Sequence, residues 1–175
     1  LQIFIAEPDP KTPLLRMAHS AKQISLGGII AALYFVITIT PGISAISFGQ
    51  FQIRIAEALT VLPFLYPGAI WGLFVGCLLA NVFGPFGIQD VIFGSGITLI
   101  AAWLTYLTRK TNRPYLAPLP PVVLNAVGVS AYLHAFFGEP YWAFVATIGL
   151  GELIACYGLG YPLLIFLLKR EKSFT

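Results

Sequence analysis

Charge is the scarcest property of this sequence. Its 175 residues include ten Lys or Arg and seven Asp or Glu, 10% in all, against 58% hydrophobic residues. The mean hydropathy is +0.85. So few polar groups cannot cover a soluble domain, which excludes a water-facing globule. Cysteine is nearly missing as well. Cys77 and Cys156 lie inside apolar stretches and form no CxxC or His-linked spacing, which points to buried free thiols with no disulfide and no metal. No GxxxxGK[ST] phosphate loop occurs, and no glycine is followed by lysine, so ATP is not used by that route. HExxH, GxSxG and the paired-carboxylate motif of a lipid-modifying enzyme are also missing. With no cofactor motif either, the chemistry on offer is recognition and passage, not catalysis.

What is present is apolar length. No charged residue falls between Lys22 and Arg54, between Glu57 and Asp90, or between Asp90 and Arg109. A membrane helix needs about 20 apolar residues to cross a core of ~30 Å, so the longer gaps hold a helix, a loop and part of the next helix. The pattern predicts an all-α membrane protein of six spans, at about 24–40, 58–66, 68–83, 91–108, 115–137 and 141–168. The second is interrupted by Pro63 and Pro67 and is expected to be short or kinked. The sixth exceeds a perpendicular crossing and carries Pro162, so a tilt or bend is expected. The segment after Lys22 runs on as a span and does not stop at a small-residue cleavage site, so no cleaved leader is expected. Residues 1–22 read as a cytoplasmic tail and residues 23–175 as one transmembrane domain.

Orientation follows from the basic residues. Six spans with both termini cytoplasmic place Lys11, Arg16, Lys22, Arg109, Lys110, Arg113, Lys169, Arg170 and Lys172 on the inner side, as the positive-inside rule asks. Arg54 alone falls on the outer side. Asp90, Glu139 and His134 read as residues of the outer loops or helix ends. Small residues mark two packing faces: Gly68, Gly72, Gly76 and Ala80 on the third span, and Gly27 and Gly28 followed by Ala31 and Ala32 on the first. The first of these ladders reads as internal helix packing. The second could instead dock a separate membrane subunit.

Polar side chains at membrane depth are costly and mark interior sites. At 1.5 Å per residue, Glu152 lies about 25 Å from Lys169, and Asn81 and Asn125 lie about 18 to 20 Å from the inner ends of their spans. Glu57 begins the second span from outside. Four helices thus bring a polar group to a similar level, the pattern of a pocket opening outward. For Asn81 and Asn125 an interhelical hydrogen bond is an equal alternative. Arg54 and Glu57 stand three residues apart and either pair with each other on one helix face or serve a ligand together with Gln50 and Gln52. Trp142 and Tyr141 read as interfacial residues or as a stacking surface for a flat ligand.

The strings R-x-x-E-A-L-T-x-L-P from Arg54 and G-E-L-x-x-C-Y-x-L-G from Gly151, with "PPVVLNAVGVSAYL" between them, resemble the QueT family. These are the substrate-binding S components of energy-coupling factor (ECF) transporters for queuosine precursors. The resemblance implies a six-helix bundle in the bacterial cell membrane that works with a transmembrane T component and two cytoplasmic ATPases. Such proteins dock the T component through Ala-x-x-x-Ala on the first helix, which Gly28 and Ala32, or Gly27 and Ala31, match as small-x-x-x-small. The loop at about 41–53 would close over the ligand. The implied substrate is a 7-deazaguanine such as preQ1, preQ0 or queuine. Glu152 or Glu57 would accept from its paired N–H groups, and Asn81, Asn125, Gln52 or Arg54 would donate to its carbonyl. The other carboxylate would take a cationic aminomethyl group, and the sequence does not say which takes which. An S component for another purine or a vitamin, a self-contained channel, and a membrane enzyme are the competing readings.

Overall fold

The computed structural model describes residues 13–47, 53–138 and 140–173. The first twelve residues, Gln50, Gln52 and Glu139 lie outside that set. Everything regular in the described residues is helical. The first helix, α1 (Pro13–Ile39), is followed by a short turn of helix at Ile43–Ser47. Then come α2 (Ile55–Phe64), α3 (Ala69–Val82), α4 (Gly87–Thr111), α5 (Pro114–Phe137) and α6 (Tyr141–Arg170). Because α1 already begins at Pro13, the helix reaches back into the segment assigned to a tail.

Four of these helical stretches are long and apolar enough to cross a membrane: Ser20–Ile39 of α1, and α4, α5 and α6. Large apolar side chains such as Ile29, Val36, Trp71, Trp103, Leu150 and Phe166 stand on the outside. That many exposed hydrophobics suit lipid and not water.

The two shorter apolar helices behave differently. The segment α2 is a 3₁₀ helix of ten residues, which at about 2 Å per residue reaches only ~20 Å. Pro63 cannot donate a backbone hydrogen bond within it, and the N–H groups of Leu65 and Tyr66 both close on the Leu62 carbonyl to end it. Its side chains are nearly all buried, because α1, α3, α4 and α6 surround it. This weakest of the six expected spans is the interior of the bundle. A segment enclosed by protein need not meet the length or the helical regularity that lipid demands.

The most extensive contact is between α1 and α3. A Cβ added at Gly72 would stand 2.4 Å from the Gly27 carbonyl oxygen, and one at Gly76 would stand 2.8 Å from that of Ala31. Only glycine lets the two backbones approach so closely. The ladder on the third span is therefore internal packing, and its partner is the Gly27 and Ala31 face of α1. Behind this seam Tyr34, Leu73, Cys77 and Ala80 form the main core with Leu62 and Ala102. At one end of the bundle Gln23 Oε1 accepts from the Gly68 N–H at 2.8 Å. That end carries exposed Lys22, and Pro114–Leu116 at the start of α5 packs against the last part of α6.

Candidate functional site

The buried end of α2 sets out the polar residues. Glu57 is 1% exposed, and its Oε1 accepts from the Tyr34 hydroxyl of α1. Its other oxygen, Oε2, is buried without a hydrogen-bond partner. Across from it Glu152 on α6 is 4% exposed and accepts from the Cys156 thiol at 3.4 Å. That thiol also lies 3.5 Å from the Glu57 carbonyl oxygen and 3.5 Å from Thr60 Oγ1. Asn125 on α5 is 4% exposed and stands beside both carboxylates. These residues, with Arg54, Gly94, Thr98, Val129 and Ile148, line a cavity of about 10 Å³, room for roughly one water.

A second polar layer adjoins the first. Arg54 makes an ion pair with Asp90 at 3.2 Å, and its guanidinium also lies 3.9 Å from the Cys77 sulfur. Asp90 is 1% exposed and accepts from the Tyr132 hydroxyl through Oδ1. Asn81 donates to the Asp90 carbonyl oxygen at 2.9 Å and to Ser95 Oγ at 3.5 Å. A Cβ at Gly94 would come within 2.6 Å of Asp90 Oδ1 and 2.9 Å of Asn81 Nδ2, so this layer closes only around a glycine.

Asp90 therefore corrects the expectation of an outer-loop residue: it is a buried anion inside the bundle. Arg54 makes its ion pair with Asp90 from another helix and lines the same cavity as Glu57, three residues on. Asn81 ties α3 to the start of α4, the interhelical alternative, and does not line the cavity. Trp142 is 78% exposed and contacts Tyr141 edge to face, away from the cavity. His134 is exposed at the end of α5. Gln50 and Gln52 lie outside the described residues. Of the small residues on α1, Gly27 and Ala31 are buried against α3, whereas Gly28 and Ala32 face outward.

Tyr34, Asp90, Tyr132 and Cys156 complete the polar cluster and were missed as site residues. Asp90 carried a usable signal, because it is the one charge in the run from 58 to 108. The two tyrosines carried none. A further feature has no trace in composition. Three π-helical segments, Asp90–Gly94, Asn125–Val129 and Leu153–Gly160, start at or directly after Asp90, Asn125 and Glu152. Such widened turns re-aim side chains and gather at functional sites. In α6, Pro162 supplies a reason, since it has no N–H to return to the preceding turn.

An apolar-skinned bundle closed around buried Arg54, Glu57, Asp90 and Glu152 is a multi-pass membrane protein. The chain belongs to the QueT transporter family, which it matches over residues 24–169. It is 43% identical over 72 residues to the queuosine precursor transporter QueT of Lactococcus lactis subsp. cremoris (strain MG1363). That stretch covers 41% of this chain and 42% of the relative, less than half of its length. No solved structure matches the chain significantly.

Proposed function

We propose that this protein is the substrate-binding S component of an ECF-type importer and that it takes up a queuosine precursor, a 7-deazaguanine. The observation that carries this reading is the meeting of two buried carboxylates and a carboxamide, from three helices, at one cavity in a member of this family. A guanine-like edge presents adjacent N–H donors that a carboxylate accepts as a pair, and a carbonyl that an amide N–H satisfies. Glu57, Glu152 and Asn125 supply those groups. Arg54, fixed by Asp90, sets the charge at the mouth of the cavity. The cavity has room for about one water, so the ligand enters by parting its walls.

In this reading the six helices, α2 and α3 included, form the transport unit in the bacterial cell membrane, with the basic end of the bundle cytoplasmic. A T component and two ATPases drive uptake, and the chain itself performs no catalysis. Gly28 and Ala32 suit the T-component contact, because they are exposed while Gly27 and Ala31 are buried against α3. Tyr34 lies about 200° around α1 from Ala32 at 100° per residue, so one rigid helix carries the partner face on one side and the Glu57 contact on the other.

Ligand-dependent thermal unfolding of the purified protein tests this, using preQ1, preQ0, queuine, guanine and riboflavin. A ligand at a hundred times its Kd adds about 2.7 kcal/mol of stability, so the deazaguanines should raise the midpoint and riboflavin should not. Stabilisation by riboflavin alone, or by none of the five, would refute the substrate reading. Uptake by cells that lack the ATPases would refute the importer reading.

A further inference from the structure

Resting on that reading, we propose that the two cavity carboxylates have different tasks: Glu152 holds the donor edge of the base, and Glu57 selects ligands that carry an ammonium arm. The division comes from what each carboxylate already binds. To accept two adjacent N–H groups, a carboxylate must offer both oxygens side by side. One oxygen of Glu57 is taken by the Tyr34 hydroxyl, which leaves Oε2 as a single buried acceptor that makes no hydrogen bond of ordinary geometry, with the Asn125 carboxamide beside it. A lone charged donor such as an alkylammonium fits that vacancy; a paired edge does not. Glu152 is engaged by a thiol at 3.4 Å, a weak donor that a pair of ligand N–H groups readily replaces.

Charge balance points the same way. Glu57 and Glu152 face one small cavity, and among the Lys and Arg whose side chains are described Arg54 alone is not exposed. Its guanidinium is committed to Asp90 at 3.2 Å. With the carboxylates ionised, Glu57, Glu152 and Asp90 would oppose a single buried cation, and an ammonium brought by the ligand offsets part of the excess. A neutral nitrile in the same position offsets nothing. The site is thus built to prefer the aminomethyl form of the base over the nitrile form.

The test is equilibrium binding of preQ1, preQ0 and guanine to purified wild-type protein and to the Glu57→Gln, Glu152→Gln and Tyr34→Phe variants. Wild type should bind preQ1 more tightly than preQ0 by about tenfold or more, the size expected of one hydrogen bond to a charged group. Glu57→Gln should bring that ratio close to one by weakening preQ1 far more than preQ0, and a cooperative unfolding transition checks that the variant is folded. Glu152→Gln should weaken all three ligands by a similar factor of about ten or more. Tyr34→Phe, which frees the second oxygen of Glu57, should raise the affinity for none of the three, whereas a gain for every base would mean that Glu57 holds the edge and would overturn the assignment. An unchanged preQ1-to-preQ0 ratio in Glu57→Gln, or selectivity lost in Glu152→Gln instead, overturns the assignment and leaves the base reading standing. Failure of wild type to bind any of the three overturns both.

Discussion

Replacing Asp90 with alanine should be among the most damaging single changes in the bundle. Asp90 is 1% exposed, holds Arg54 at 3.2 Å and accepts from the Tyr132 hydroxyl. Removing one partner of a buried pair leaves the other charge uncompensated and costs about 3–5 kcal/mol. The Arg54 side chain is 12% exposed, so some water reaches it and the lower part of that range is expected, about 3 kcal/mol. Asp90→Asn keeps the shape and an acceptor for Tyr132 but loses the charge, and should cost about 1.5–3 kcal/mol. Combining Arg54→Met with Asp90→Leu removes both charges and should be less harmful than Asp90→Ala alone, because no charge is left uncompensated and the Tyr132 hydroxyl loses its acceptor in either case. Equilibrium unfolding in mixed micelles, with the double-mutant cycle, reads all of these values. The reasoning fails if Asp90→Ala costs under 1 kcal/mol, or if the double variant loses as much as the two single changes added together.

Other expectations follow from the packing. Gly72→Ala places a Cβ 2.4 Å from the Gly27 carbonyl oxygen, so α1 must leave α3; loss of a monodisperse peak in size-exclusion chromatography would show it. Gly28→Ala meets nothing within 4 Å and should leave the isolated chain as stable as before, or up to about 1 kcal/mol more stable, by thermal unfolding. Tyr34→Phe deprives buried Glu57 of its donor and should cost about 1.5–3 kcal/mol in the same unfolding assay used for Asp90. Cys77 and Cys156 are free and buried; both should resist maleimide in the folded protein and react in denaturing detergent, and quick labelling of the native state would contradict their burial.

The helices long enough to cross were legible because lipid imposes a minimum length, and α1, α4, α5 and α6 satisfy it within their own sequences. The α2 segment was ambiguous for the same reason. Once four neighbours enclose it, tertiary contacts replace the length rule, and ten residues broken by Pro63 are sufficient. Among the polar residues, Glu57, Asn125 and Glu152 stood out because each interrupts an apolar run. Asp90 also interrupts one, but its neighbours Gly84, Pro85 and Gly87 read as a loop. The widened turn that begins at Asp90 carries it inside, where Arg54 and Tyr132 meet it. Spacing along one helix can state which residues share its face, as Arg54 and Glu57 do three apart. It cannot state that a guanidinium will find a carboxylate 36 positions away, since that contact depends on how closely α3 and α4 pack, and Gly94, whose missing side chain leaves room for Asp90 and Asn81, allows the close approach.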